Sequence, residues 1–400
     1  MKLLGFNITK NNEINHTNSP IIEKISDNVT AINSFSFASD NKYLPSDYST
    51  RYNSGAYIRY GDDNLFPNQL IDLYNSSPLH KSAIDFKTRL LFGNGYEFKT
   101  ENNKLKSEIF LNNIDGQGNI NQLIEGIIFD HKLFGNFYLL ITWNENFTKI
   151  IKIERLKAFG VRLSADIEGN LIGVVYNNNW QYSSGTYKRY PLFNVLDKEN
   201  RQQVYVGIKN KIDSNVYTYP DYVSGLNSIA ANAAISLYQL NIVENGFSPS
   251  MSIQFYKKPN SPEEKSKIVS DIKRQYSGKR NAGKALIFFS DGKDLAPTIS
   301  PIDVSSLDKQ YTVLEDSIQN SIVQAHGIIS QTLLGIKSSG QLGNVQELKN
   351  AFLISNIMKT ELEKTQIEDA INKFLLLNGL DTIKIKSLEI FPEETQKTIL

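Results

Sequence analysis

The spacing of apolar positions is most informative toward the end of the chain. In Asp308 to His326, Tyr311, Leu314, Ile318, Ile322 and Ala325 recur at three- and four-residue steps, which predicts a helix with one apolar stripe. Ile336 to Asn344 (IKSSGQLGN) breaks that pattern. It is small, polar and glycine-bearing, with nothing to anchor it in a core, and predicts an exposed, mobile loop. A second helix follows, with Asn344 as N-cap and Glu347 three residues on. Leu348, Phe352, Ile357, Leu362, Ile367, Ile371 and Leu375 give it an apolar face up to a stop at Asn378-Gly379. At about 1.5 Å per residue this helix is roughly 50 Å long.

Upstream the periodicity changes several times. Residues 1–55 are rich in Asn, Ser and Thr without sustained periodicity and predict an extended arm. Asp63-Asn64 is the expected cap of a helix through Tyr74, with Pro67 in its first turn. Ser77-Pro78 opens another through Phe92, with Leu79, Ile84, Phe86 and Leu90 inside and Gly93-Asn94-Gly95 as its end. Ile120 to Phe134 predicts a third helix, and Phe137 to Trp143 (FYLLITW) a strand. KIIKIERL, GVRLSAD, LIGVVYNN, TYKRYPLF and RQQVYVGIK are β-branched or aromatic runs between Gly, Asn and Asp clusters, which predict an antiparallel meander. After Pro220, Asp221 to Glu244 is an Ala-rich helix whose small side chains admit a close neighbour. Strand Ser252 to Tyr256, a capped helix Ser261 to Tyr276, strand Ala285 to Phe289 and an extended segment Pro297 to Ile302 follow. They form a small α/β unit whose two ends both join long helices, a tip on a two-helix stalk. The fold class is α+β.

Composition narrows the chemistry. The chain has 400 residues, enough for two or three domains, and its formal charge of +1 gives no bulk attraction to nucleic acid or an anionic membrane. The absence of Cys excludes disulfides, thiol catalysis and thiolate metal sites. No apolar run reaches the length of a membrane span or of a signal h-region, so a soluble protein is expected. His16, His80, His131 and His326 lie far apart in sequence and near no nucleophile signature. No catalytic constellation, cofactor or metal site is therefore expected.

Two motifs need weighing. Gly278 to Lys284 (GKRNAGK) has the spacing of a phosphate loop, which would make Lys284 the residue of a nucleotide hydrolase. However, Ala285 stands where a Mg²⁺-binding hydroxyl belongs, and a helix leads into the loop where a strand should. A helix-terminal turn accounts for it more simply. Lys265, Lys267, Lys273, Arg274, Lys279, Arg280 and Lys284 make the tip basic, partly offset by Glu263, Glu264 and Asp271. A solvated face is the ordinary explanation of such a run; contact with DNA backbone or an acidic partner is the functional one. Asp62-Asp63 has no third ligand at useful spacing and is assigned to capping.

The order of these parts resembles the portal proteins of tailed bacteriophages, in the family that includes HK97-like and PBSX-like members. The resemblance rests on GDDNLFPNQLIDLYNSSPLHKSAIDFKTRLLFGNGYEF (61–98), LFGNFYLLI (133–141), NAGKALIF (281–288) and LLGIKSSGQLGNVQELKNAF (333–352). It implies an N-terminal arm (1–55), a wing of helices then antiparallel strands (56–220) and a first stem helix (221–246). A clip (247–303), a second stem helix (304–330), a channel loop (331–344), a long wing helix (345–378) and a C-terminal strand or tail (379–400), with a reduced or absent crown, complete it. It further implies a homo-oligomeric ring, usually of twelve subunits, at one capsid vertex, through which double-stranded DNA is packaged and ejected without sequence preference. Lys337, Ser338, Ser339, Gly340, Gln341, Leu342, Gly343 and Asn344 would face that DNA. The basic clip residues named above would meet terminase or a head–tail adaptor. The major capsid protein is a further implied partner, and the implied location is the virion, with assembly in the host cytoplasm. In this family the motor ATPase belongs to the terminase large subunit, which implies no active site here. The alternatives are the nucleotide hydrolase above or another ring-forming head–tail connector.

Overall fold

The computed structural model describes residues 52–53, 57–61, 63–116, 118–166, 170–181, 187–208, 217–245, 252–255, 259–276, 286–289, 304–336 and 345–389. The expected arm therefore lies outside the described residues, apart from β1 (Tyr52–Asn53), which pairs antiparallel with β2 (Tyr57–Ile58).

Helix α1 (Phe66–Ser76) carries Pro67 in its first turn, and α2 (Pro78–Phe92) starts where Ser77 Oγ accepts from the His80 amide at 3.4 Å. Strand β3 (Tyr96–Phe98) and α3 (Lys104–Leu111) follow. Helix α4 (Ile120–Phe134) opens with a capping box of Asn119 and Gln122 and closes on Gly135, whose φ of 77° is left-handed. That turn presses so close to the Tyr219–Pro220 backbone that a Cβ would not fit. The chain then enters β4 (Asn136–Trp143), whose near-continuous apolar run is buried along its length. Strand β4 is central, flanked antiparallel by β5 (Ile150–Leu156) and β9 (Gln202–Ile208). Strands β6 (Val161–Ala165), β7 (Leu171–Tyr176) and β8 (Lys188–Pro191) form a separate antiparallel sheet. The five segments read as one meander are thus split between two sheets, and only β6 to β8 meander. Both edges of the buried β4 need partners, and β9 returns to satisfy the second.

Helix α5 (Leu226–Asn245) leads to β10 (Ser252–Phe255), α6 (Pro262–Tyr276) and β11 (Leu286–Phe289). Strands β10 and β11 pair in parallel, so the tip is a βαβ unit. Helix α7 (Val304–Ala325), a 3-10 turn (Gln331–Leu334), α8 (Val345–Leu377) and β12 (Ile383–Ile385) complete the chain. The extended segment expected at Pro297 to Ile302 and the N-cap expected at Asn344 lie outside the described residues.

Two apolar cores result. One joins α1, α2 and the β6–β8 sheet to the bases of α5 and α7. The other joins α4, the β4 sheet, the C-terminal half of α8 and β12.

Several expectations are corrected. Asp63-Asn64 does not cap α1: Leu65 is the N-cap residue, Asp63 Oδ1 accepts from its amide at 2.8 Å, and Asn64, at φ 66°, is turned into the core. Helix α3 had no stripe to announce it, because Leu105 and Ile109 face outward while Ser107 and Leu111 are buried. The apolar stripe of α7 is not buried along its length: Ile322 is fully buried, whereas Leu314 is 51% exposed. On α8, Ile367, Ile371 and Leu375 are buried, but Ile357 and Leu362 are 68% and 74% exposed. The buried side of α8 turns as the helix passes from one set of neighbours to another, so no single face serves its whole length. Within the expected C-terminal strand or tail, β12 is a strand that pairs antiparallel with β3 inside the second core.

Candidate functional site

The functional geometry begins where two long helices leave the first apolar core. Helices α5 and α7 pack side by side. Their bases meet at Gly225, where a Cβ would lie 2.5 Å from the Ala325 Cβ, so only glycine permits this approach. The helices run antiparallel and carry the βαβ unit between their far ends. Tyr222 enters this base from the α5 side, with its hydroxyl donating to the Leu133 carbonyl at 2.6 Å. Ser77 Oγ donates to Asn232 Oδ1 at 2.7 Å and ties α2 to α5.

At the centre lie two histidines, 246 residues apart in sequence: His80 Nδ1 and His326 Nε2 are 2.9 Å apart. The expectation that the histidines are isolated from one another is therefore wrong for this pair. Both are buried; Tyr222 stacks on His326 at 4.9 Å and meets His80 edge-on at 4.6 Å. The contact requires one neutral ring to donate and the other to accept. Neither His80 Nε2 nor His326 Nδ1 has a hydrogen-bond partner. Burial, reinforced by the Lys87 charge, lowers the His80 pKa to about 3; burial, Lys87 and His80 lower that of His326 to about 2, against the opposing pull of Asp221. Around the pair, Asp221 lies 3.7 Å from Lys87 and 3.9 Å from Lys132, and Lys132 also pairs with Glu363 of α8. Helices α2, α4, α7 and α8 thus converge on one joint at the base of α5.

A second buried knot fixes the β6–β8 sheet to α1. Arg162 is fully buried, donating from Nε to Asn64 Oδ1 at 2.6 Å, from Nη2 to Asn64 O at 2.5 Å and from Nη1 to Val161 O and Phe159 O at 2.8 and 3.0 Å. Its guanidinium lies 4.7 Å from the Trp180 ring centre. Burial lowers its pKa, and neutral carbonyl acceptors take the place of a carboxylate.

The residues named from sequence are distributed differently. Lys265 and Lys267 are exposed on α6, and Lys273 and Arg274 lie on the same helix. Lys279, Arg280 and Lys284, and the channel-loop residues Lys337 to Asn344, lie outside the described residues. Helix α6 starts with Ser261 Oγ accepting from the Glu264 amide at 3.2 Å. It ends at Tyr276, before Gly278 to Lys284, and β11 follows that loop, the reverse of a phosphate-loop setting. Among the described residues, no group of three or more His, Asp or Glu could hold a metal ion, and no helix is long and apolar enough to cross a membrane.

The sequence model of the phage portal protein family matches residues 89–392, which run from the end of α2 through both sheets, α5, the βαβ unit and α7 to α8 and β12. The chain belongs to the phage portal protein family. Among solved structures, this portal protein is similar to a chain of the virion of a native gene transfer agent particle, with a TM-score of 0.55 and 16% identity over 83% of this chain and 86% of that one. It is also similar to a chain in the neck of the native particle computed with C12 symmetry, with a TM-score of 0.51 and 17% identity over 83% of this chain and 87% of that one. At such identities the likeness establishes the fold. No curated protein matches the chain.

Proposed function

We propose that this portal protein assembles into a closed ring, twelvefold as in the gene transfer agent neck it resembles, at one vertex of a virion. The ring is a conduit for double-stranded DNA during packaging and ejection and a docking platform for the terminase large subunit, a head–tail adaptor and the major capsid protein. Assembly precedes incorporation and takes place in the host cytoplasm. In this reading the clip residues Lys265, Lys267, Lys273, Arg274, Lys279, Arg280 and Lys284 meet the terminase or adaptor, and the segment Lys337 to Asn344 faces the channel. The protein positions and admits DNA and carries out no bond chemistry of its own.

The observation that carries this reading is a two-helix stem, pinned at its base and bearing a βαβ tip, inside the span matched by the family model. The stem leaves Leu237, Leu240, Val313 and Leu314 open to solvent in a single chain. An antiparallel helix pair with large apolar side chains on its outside is completed by neighbours of the same kind. Mass photometry and negative-stain electron microscopy of the purified protein test it. Closed rings are the expected result, and a stable monomer at micromolar concentration, with or without scaffold and capsid proteins, would sink it.

A further inference from the structure

The N-terminal half of α8 carries a second unpartnered surface. Ile354, Ile357, Met358 and Leu362 follow one another at helical steps and are all exposed, Met358 to 74%. On the opposite side of the same turns, Phe352 and Thr360 are buried. This half of the helix is therefore seated on its own subunit by one side and bare on the other. A charged solvent face would carry Lys or Glu at these positions; four large apolar side chains in a row form an interaction surface.

Ring symmetry limits what can cover it. A closed ring of more than two copies is built from heterologous contacts, in which a patch on one copy meets a different patch on the next; a stripe packed on its own equivalent would give a two-fold dimer instead. Among the described residues, the stem quartet Leu237, Leu240, Val313 and Leu314 is the candidate complement. Because Gly225 lies against Ala325 and the helices run antiparallel, Leu237 stands level with Val313 and Leu314, about 18 Å from the stem base. Helix α8 packs on the 3-10 turn that follows α7, so its bare half also starts near that base. Two further exposed apolar helix pairs, Leu105 and Ile109 of α3 and Leu376 and Leu377 of α8, lie at the far end of α8, where Ser107 Oγ accepts from the Asp381 amide. About 20 Å of α8 separates Leu376 from Leu362, the nearest residue of the stripe.

We propose that the apolar stripe of α8 packs against the α5–α7 stem of the adjacent copy, on Leu237, Leu240, Val313 and Leu314. This rests on the ring reading above and names the seam that closes the ring. The wing helix of each subunit then braces its neighbour's stem, and the four large side chains of the stripe leave water together.

The absence of cysteine from the chain makes a direct test possible, because introduced thiols are the only ones present. Met358→Cys combined with Leu237→Cys, and Met358→Cys combined with Val313→Cys, are oxidised mildly after assembly and run on denaturing gels. The expected result is a ladder of covalent multimers for at least one pair, with each single variant remaining monomeric. Ile357→Glu with Met358→Glu is expected to raise the concentration needed for half-assembly by at least about tenfold, with an unchanged far-ultraviolet circular dichroism spectrum. If wild-type rings form but neither pair gives a ladder, whether because no bond forms or because the monomers link only internally, the stripe faces another surface and the proposal is overturned. Assembly of the double-Glu variant at wild-type concentration overturns it as well. Failure of the wild type to form rings at all would overturn the ring reading itself.

Discussion

At the scale of single residues, the stem base is held by groups whose burial sets their charge. His80 and His326 are neutral in the fold, with pKa values lowered to about 3 and about 2 from an ordinary 6.5. In the unfolded chain they take up protons as the pH falls below 6.5, whereas in the fold they do not until far lower. Between these limits the unfolded state binds more protons, so stability is full above pH 6.5 and declines as the pH drops toward 3. Each histidine contributes a slope of about 1.4 kcal/mol per pH unit in the middle of that window. Urea denaturation of the wild type and of His80→Asn with His326→Gln at pH 7, 6 and 5 reads the difference. The wild type is expected to lose stability more steeply with acid, and parallel profiles would refute a neutral buried pair. Arg162 gives a second residue-scale expectation. Arg162→Met removes donors to Asn64, Val161 and Phe159 while leaving their buried oxygens in place, and is expected to cost about 3 kcal/mol. A urea midpoint within experimental scatter of the wild type would contradict that account.

At the scale of elements, β12 is attached through side chains as well as through its strand partner. Asn372 of α8 accepts from the Ile383 amide at 2.7 Å and donates to the Ile383 carbonyl at 2.8 Å, and Glu368 Oε1 accepts from the Ile385 amide at 2.8 Å. On one edge β12 pairs with β3, and on the other the helix supplies what a third strand would. Asn372→Leu keeps the volume and removes both bonds. It is expected to destabilise the fold by about 2 kcal/mol and to speed amide exchange at Ile383 and Ile385 selectively; unchanged protection there would show that β3 alone holds the strand. Most elements are legible in the sequence because their signals are local: Ser77-Pro78 and Gly93-Asn94-Gly95 each mark a boundary of α2 within a few residues. What was not legible depends on distant partners. The return of β9 to the free edge of β4, and the meeting of His80 with His326, need the tertiary fold. Asn64 stood in a good capping position, but Arg162, 98 residues away, claimed its side chain. Ile357 and Leu362 fit an apolar helical face and belong instead to an outward stripe, since periodicity identifies an apolar side without saying which chain it meets. The family was legible only as a pattern of whole elements in order, and the basic residues of α6 mark a surface without naming its partner.

At the scale of the whole molecule, a portal works by geometry. A ring of identical subunits sets every copy of one segment at the same radius, so a property too weak to matter once is repeated around the axis. Lys337 to Asn344 is short of large side chains and has Gly340 and Gly343 within it, a composition suited to sliding past a duplex whose helical surface never matches the ring. A segment that adapts to a passing duplex needs backbone freedom, which Gly supplies and Pro removes. Gly340→Pro with Gly343→Pro is therefore expected to leave ring assembly and thermal stability unchanged while lowering the amount of DNA packaged per particle several-fold. Gly340→Ala with Gly343→Ala, which restricts the backbone less, is expected to fall between. The comparison separates loop chemistry from assembly, because rings are counted by electron microscopy in the same preparations whose packaged DNA is measured. Equal DNA yield from intact rings of all three proteins would mean that another surface of the subunit faces the duplex.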